Sequence, residues 1–175
     1  MHDALRFSLK REIEAMAFYE IALERVRDAG ARAALAFLAE EESRHVGELR
    51  ERLARSSMDE PRVRGMIDAL RRAAQRIAQE KLAGILAQGS LEAIAVLRVA
   101  LQEEKRSEEL YKLNASTMPD VEVSTFYRGL VQEEREHVKT IKAAIRLVEK
   151  GIIDPKYLRP RGRGKGAKRS GETKR

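Results

Sequence analysis

Two short motifs that could do chemistry recur in the sequence, each a glutamate followed three residues later by a histidine. They are Glu42-Ser-Arg-His45 and Glu134-Arg-Glu-His137. On a helix this spacing places both side chains on one face, about one turn apart. Carboxylates and imidazoles together bind divalent iron or manganese. Of the three histidines in the chain, only the terminal His2 lies outside such a motif. The sequence therefore predicts a metal site.

The two motifs belong to an internal repeat in which the second half follows the first by 92 residues. The same offset relates one further glutamate in each half, Glu12 and Glu104. Other matching pairs are Tyr19 and Tyr111, Asp28 and Asp120, Leu38 and Leu130, and Val46 and Val138. Four inward carboxylates without metal would repel one another, whereas two divalent ions would balance their charge. The repeat therefore predicts a six-ligand site for two ions.

Four stretches with apolar residues at helical spacing would position these side chains. They cover about residues 3–28, 31–55, 90–114 and 120–151. Gly30 would interrupt the first pair, and Ser90 and Asp120 would cap the last two helices. Apolar residues at helical spacing between the second and third stretches predict a helical crossover over residues 59–89. These residues are Val63, Met66, Ile67, Leu70, Ala74 and Ile77.

Two short links and one long crossover are typical of a ferritin-like four-helix bundle, so the predicted fold class is all-α. The bundle would occupy residues 1–154, with the repeat over 1–58 and 93–150. A basic tail over 155–175 would follow it and is expected to be disordered, because it is rich in glycine and has nothing to bury.

Tyrosines and further acids lie next to the six predicted ligands. Tyr19 and Tyr111 follow Glu12 and Glu104 by seven residues, two helical turns, so their hydroxyls could hydrogen-bond a ligand carboxylate. Plain core packing of the rings is the alternative. The neighbouring acids are expected on solvated helix faces, although Glu41 and Glu133 could also be ligands if the register were shifted. The acids in question are Glu14, Glu40, Glu41, Glu103, Glu108, Glu109, Glu133 and Glu136.

The composition excludes several classes of protein. With no cysteine, the chain has no disulfide scaffold, no zinc finger, no thiolate-bound iron and no cysteine nucleophile. Glycine-rich phosphate loops, Rossmann glycines and a serine nucleophile elbow are also missing from the sequence. No apolar run is long enough to span a bilayer, and the charged first residues do not resemble a secretory signal. We therefore expect a cytoplasmic protein without a membrane partner.

The net charge of +7 comes from the C-terminal end, because residues 1–150 contain equal numbers of basic and acidic residues. Cations of the tail could bind nucleic acid or an anionic surface through phosphates, with the bundle as a scaffold. The candidates are Arg159, Arg161, Arg163, Lys165, Lys168 and Arg169. A solubilising terminus without a partner is the alternative, and the absence of aromatic residues from 158–175 argues against stacking on single strands.

With these paired motifs, residues 3–150 resemble the rubrerythrin/ferritin-like di-iron carboxylate family. The resemblance implies that Glu12 and Glu104 are terminal ligands and that Glu42 and Glu134 bridge two iron ions. It also implies that His45 and His137 each give one nitrogen ligand, so that the catalytic residues are the metal ligands themselves. Members of the family react Fe(II) with O₂ or H₂O₂ as ferroxidases, peroxide reductases or iron-storage proteins. The expected function is Fe(II) oxidation in iron homeostasis or protection from oxidative stress.

Two departures from the family pattern narrow this expectation. Rubrerythrins proper also have a rubredoxin domain with cysteine-bound iron, which this cysteine-free chain cannot form, so electrons would come from Fe(II) or from an external donor protein. Rubrerythrins also carry a further glutamate three residues after the ligand that corresponds to Glu104. In this sequence Ser107 occupies that position, which favours simple ferroxidase chemistry over peroxide turnover. The resemblance also makes a homodimer plausible, with helices exchanged through the crossover. Manganese instead of iron, and a helical scaffold with a vestigial site, stay open as alternatives.

Overall fold

The structure, a computed structural model, describes residues 2–55, 59–87 and 93–152. Within these ranges the chain is all-helical and forms five helices with no strand. The helices are α1 (His2–Arg25), α2 (Ala29–Arg55), α3 (Glu60–Ala87), α4 (Ala93–Thr117) and α5 (Val121–Glu149). The all-α prediction is confirmed, and none of the described helices is both long enough and apolar enough to cross a bilayer.

Two helical hairpins form the bundle. Helix α1 packs along α2 and α4 packs along α5, because the short links between them make consecutive helices antiparallel neighbours. The hairpins meet mainly where α2 contacts α5 and α1 contacts α4. Helix α3 connects them and packs chiefly against α1. This is the arrangement of four core helices and one long crossover that the sequence predicts.

Two aspartates at the same repeat position begin the second helix of each hairpin. Asp28 Oδ1 accepts a hydrogen bond from the Ala31 backbone N–H at 2.8 Å, and Asp120 Oδ1 accepts one from Val123 N–H at 2.9 Å. Such caps satisfy backbone donors that the first helical turn leaves unpaired. The prediction that Gly30 interrupts the hairpin is wrong, since Gly30 lies in the first turn of α2 and the break falls at 26–28.

The other boundaries differ from the predictions by a few residues. Helix α4 continues to Thr117, and its predicted start at Ser90 lies outside the described residues. Helix α5 ends at Glu149, and Gly151 follows with a positive φ of 64°, as is common after a helix. On α3 the buried face continues through Ala78 and Leu82, while the predicted face residue Ile77 is 39% exposed.

A buried polar layer separates two apolar clusters. One cluster lies near the α1–α2 link and includes Leu35, Leu38 and Leu97. The other lies towards the opposite end and includes Leu9 and Leu49. On α2, α4 and α5 the buried glutamates and histidines lie where the helix passes from one cluster to the other, whereas on α1 the buried Glu12 lies among residues of the second cluster. The apolar clusters therefore position the polar groups and exclude water on both sides of them.

Candidate metal centre

The bundle brings all six sequence-predicted ligands into the polar layer between the apolar clusters. Each side chain is at most 2% exposed: Glu12 on α1, Glu42 and His45 on α2, Glu104 on α4, and Glu134 and His137 on α5. The helical spacing explains this placement, because Glu-x-x-His points both of its side chains from one helix face into the bundle. Four different helices thus supply one continuous site.

The six side chains form two overlapping groups of four. Glu12, Glu42, His45 and Glu134 make the first group, and Glu42, Glu104, Glu134 and His137 make the second. In each group one ligand atom per residue lies within 4.8 Å of the others. Glu42 and Glu134 belong to both groups, so their carboxylates have the position from which two ions can be bridged.

Both histidines direct Nδ1 towards the carboxylates. His45 Nδ1 lies 3.2 Å from Glu12 Oε2 and 3.1 Å from Glu42 Oε2. His137 Nδ1 lies 3.1 Å from Glu104 Oε2 and 3.3 Å from oxygens of Glu42 and Glu134. The two imidazoles stack with ring centroids 5.6 Å apart. The Nδ1 atoms therefore offer one nitrogen ligand to each group.

The electrostatics of this cluster favour the protonated forms of four of its six side chains. Burial, followed by the neighbouring carboxylates Glu42 and Glu104, raises the pKa of Glu12 and of Glu134 well above the usual value. Burial alone would lower the pKa of both histidines, but hydrogen bonds with the surrounding glutamates raise it well above 6.5. Without a cation the site therefore retains protons that ionised carboxylates would otherwise release.

Several buried oxygens of the cluster have no hydrogen-bond donor within the described part of the chain. They are Oε1 of Glu12, Oε1 of Glu42, and both oxygens of Glu134. His137 Nδ1 lies 3.3 Å from two of these oxygens, but its hydrogen bond is with Glu104. Leaving buried carboxylate oxygens unpaired is costly unless a cation binds them. The number, chemistry and orphaned oxygens of these side chains fit two divalent first-row ions.

The two repeat-related tyrosines have different roles. The Tyr19 hydroxyl donates a hydrogen bond to Glu104 Oε1, so this phenol holds a candidate ligand of the opposite hairpin. The Tyr111 hydroxyl is also buried but has no hydrogen-bond partner among the described residues. Its ring packs against Tyr127, with centroids 5.8 Å apart. The hydrogen-bonding interpretation therefore fits Tyr19, and the packing interpretation fits Tyr111.

Glu133, which the sequence analysis expects on a solvated helix face, contacts one of the candidate ligands. It is 21% exposed, and its Oε2 lies 2.8 Å from His45 Nε2 and 2.9 Å from Arg44 Nη2. Burial alone would raise the pKa of Glu133, but the bonds with His45 and Arg44 lower it to about 2. Its position four residues before His137 suggests a ligand in a shifted register. The structure shows instead that Glu133 contacts His45, the histidine of the other hairpin.

Glu103 is likewise buried and not a surface charge. Its carboxylate forms ion pairs with Arg11 at 3.1 Å, Lys81 at 3.1 Å and Arg106 at 3.0 Å. These cations come from α1, α3 and α4, so one carboxylate ties the crossover helix to the bundle next to Glu104. Arg11 and Glu103 occupy equivalent positions in the two halves of the repeat. Their contact lies between the two halves, so neither half alone predicts it.

The remaining acids divide between paired and exposed positions. Glu108 is largely covered and pairs with Arg135 and Lys112, while Glu14 and Glu41 are half-buried and pair with Lys10 and Arg44. Glu40, Glu109 and Glu136 are exposed, as expected. All tail residues proposed to contact nucleic acid, from Arg159 to Arg169, lie outside the described residues.

Comparison with known proteins agrees with the geometry. The rubrerythrin family model matches residues 3–145, which include all six clustered side chains. No curated protein and no solved structure gives a significant match to the chain. Since the family match extends over most of the sequence, the chain belongs to the rubrerythrin family.

Proposed function

We propose that the protein binds two iron ions in the buried cluster and oxidises Fe(II) with O₂ or H₂O₂. The observation that carries this proposal is the pair of overlapping four-residue groups with orphaned carboxylate oxygens in the core. Burying so many acids without a cation would destabilise the fold, so the arrangement is reasonable only with a cationic ligand. Manganese fits the same donor atoms, and iron is the family's metal.

The chain's residues would divide the work by their position in the two groups. Glu12 and His45 would hold one ion, Glu104 and His137 the other, while the shared carboxylates hold both. Iron bound there supplies one-electron redox chemistry at each of two neighbouring positions. The apolar clusters above and below keep bulk water away from the site, and Tyr19 keeps Glu104 oriented through its hydroxyl.

Ser107 supports a ferroxidase over a peroxide reductase. It is buried on α4 one turn after Glu104, and its Oγ accepts a 3.4 Å hydrogen bond from Arg11. A hydroxyl in this place supplies no additional carboxylate to either group. Because the chain also has no cysteine, the electrons for the reaction come from Fe(II) itself or from a separate donor protein.

An anaerobic Fe(II) titration followed by addition of O₂ or stoichiometric H₂O₂ tests this function. We expect saturation at two ions per chain and a rise in the near-ultraviolet absorbance of ferric iron. Glu42→Ala and His137→Ala should lose the absorbance, whereas the exposed control Glu136→Ala should retain it. Equal iron binding by all variants, or no binding by the unaltered protein, would contradict the proposal. The ratio of rates with the two oxidants identifies the oxidant that the site uses.

The second candidate function, binding of nucleic acid through the basic tail, rests on sequence alone. Residues 151–175 hold nine of the Lys and Arg residues and two acids. Deletion of 156–175 should abolish salt-sensitive retention of DNA or RNA and leave Fe(II) oxidation unchanged if the tail has this role. The homodimer with exchanged helices and the cytoplasmic location also stay predictions from the sequence.

A further inference from the structure

The two candidate histidines differ in what holds the ring nitrogen that faces away from the cluster. His45 Nε2 lies 2.8 Å from Glu133 Oε2. An ionised carboxylate can only accept at this position, so Glu133 keeps a hydrogen on Nε2 and leaves Nδ1 as the nitrogen that can bind a metal ion in place of its own proton. Nδ1 is the atom that faces Glu12 and Glu42. The contact with Glu133 therefore selects the tautomer that a metal ion needs.

Glu133 is itself held in place from the opposite hairpin. Arg44 donates to Glu133 Oε2 at 2.9 Å and also binds Glu41 at 3.0 Å and Glu48 at 2.5 Å. Arg44 Nη2 lies 3.2 Å from His45 Nε2 but cannot accept its hydrogen, which leaves Glu133 as the acceptor. Glu133 is not a member of either four-residue group, so it acts on the site through His45.

His137 has no equivalent support. Its Nε2 is buried and lacks a hydrogen-bond partner among the described residues. The neighbouring ring is Phe37, edge-on with centroids 6.2 Å apart. Glu41, which occupies the repeat position of Glu133, bonds Arg44 instead of a histidine. The tautomer and orientation of His137 are therefore set by the cluster alone.

We propose that Glu133 is a positioning residue that fixes His45 for metal binding, so that the ion at His45 binds before the ion at His137 and more tightly. This inference rests on the proposed two-metal function. It extends that function by making the two positions unequal for a reason visible in this chain. Carboxylate partners of this kind are worth about 10- to 100-fold in metal affinity.

Titration of the metal-free full-length protein with Co²⁺, followed by calorimetry and visible absorption, tests the proposal. We expect two separate binding steps for the unaltered protein. Glu133→Leu should weaken the tighter step about 10- to 100-fold. Glu133→Gln should restore it, since both neighbours are donors and the amide oxygen can accept from them. The matched control Glu41→Leu, which loses an Arg44 contact but no histidine contact, should leave the tighter step unchanged.

A double-mutant cycle assigns the effect to one side of the site. In a His45→Ala background, Glu133→Leu should change the remaining affinity by less than about twofold, whereas in His137→Ala it should retain its full effect. An effect of equal size in both backgrounds, or a Glu133→Gln variant as weak as Glu133→Leu, would overturn the positioning role. Absence of Co²⁺ binding by the unaltered protein would instead overturn the two-metal function. Circular dichroism of each metal-free variant checks that the bundle has folded.

Discussion

The two halves of the repeat supply the same candidate ligands but surround them differently. On the His45 side, the outer nitrogen meets Glu133 and Arg44, which both touch solvent. On the His137 side, the outer nitrogen is buried beside the apolar ring of Phe37. The ligands follow from the repeat, whereas the inequivalence of the two positions follows from neighbours that do not repeat. A duplicated motif thus does not imply two equal metal positions.

A surface groove between α2 and α5 lies on the His45 side of the site. It has a volume of about 580 Å³ and is lined by residues that include Glu48, Phe126, Gly129 and Glu133. Gly129 stands at the repeat position of Phe37, so the ring that covers His137 has no counterpart beside His45. A Cβ built on Gly129 would meet no heavy atom within 4 Å. The His45 side is therefore the side of the site nearer to solvent.

Among the substitutions that test this comparison, removal of a shared carboxylate should have the largest effect, seen as a loss of bound metal. Because Glu134 belongs to both groups and Glu12 to one, Glu134→Ala should lose both ions and Glu12→Ala should lose one. Metal content per chain after dialysis, measured by elemental mass spectrometry, gives the result. Glu136→Ala is the control, two residues away and exposed. One ion retained by Glu134→Ala would mean that the two groups do not share this ligand.

Stability of the metal-free protein should fall as the pH rises. The folded-state pKa values of Glu12 and Glu134 lie above 4.5 and those of His45 and His137 above 6.5. The folded chain then binds more protons than the unfolded chain, and the stabilisation present at low pH is lost as the pH rises through these values. We expect Tm after chelation to decrease from about pH 6.5 to 9, the range above the ordinary histidine pKa.

Metal should reverse this dependence, because its ligands must be deprotonated and its affinity rises with pH. Thermal unfolding of chelated and metal-loaded samples over the same pH series measures both trends. Glu42 and Glu133 act in the opposite direction, because their folded-state pKa values are lowered: the stability that their ionised carboxylates contribute is lost as the pH falls below about 4.5. A chelated protein whose Tm rises steadily from pH 6.5 to 9 would contradict the raised pKa values of the metal-free cluster.

The two tyrosines offer a smaller and closely matched test. Tyr19→Phe leaves a buried oxygen of Glu104 without its donor, which should cost about 1–3 kcal/mol of unfolding free energy. Tyr111→Phe removes a hydroxyl that has no partner among the described residues, so its effect on stability should be close to zero or favourable. Urea unfolding of both metal-free variants decides the matter. Equal losses would show that the tyrosines act alike.

Filling the groove should have the smallest effect. Gly129→Phe would place a ring on the His45 side, as Phe37 does beside His137, and should slow Co²⁺ uptake in stopped-flow experiments while the final stoichiometry stays at two. Substitution of the exposed Gly65 by Phe is the control, since a Cβ there also meets no neighbour. An uptake rate unchanged by Gly129→Phe would exclude the groove as the path by which ions reach the site.

The repeat and the helical periodicity were enough to predict the fold and the six clustered residues. Polar residues that coincide in two halves point inwards for a reason other than packing, and Glu-x-x-His spacing fixes their face. The sequence predicts a helix cap at Asp120 but not at Asp28, because Gly30 indicates a break two residues later. The cap shows that an aspartate three residues before a backbone donor outweighs a glycine inside the first turn.

Glu133 and Glu103 could not be assigned from the sequence, because periodicity gives the face of a helix but not its partner. Glu133 lies at the edge of its helix face and contacts His45 only because α2 and α5 are adjacent. Glu103 is buried because cations from three helices converge on it, one of them from the crossover. Such contacts depend on the relative rotation and height of helices, which a single sequence does not specify.

The most direct test of the account is an anomalous-difference map from crystals grown anaerobically with Fe(II). With excess metal, we expect two peaks, both within ligand distance of Glu42 and Glu134. With one equivalent per chain, the stronger peak should lie beside His45 Nδ1. No peak between the four core helices, or one at the Glu103 cluster alone, would contradict the two-metal site. Equal peaks at one equivalent would leave the site intact but contradict the inequivalence of its halves.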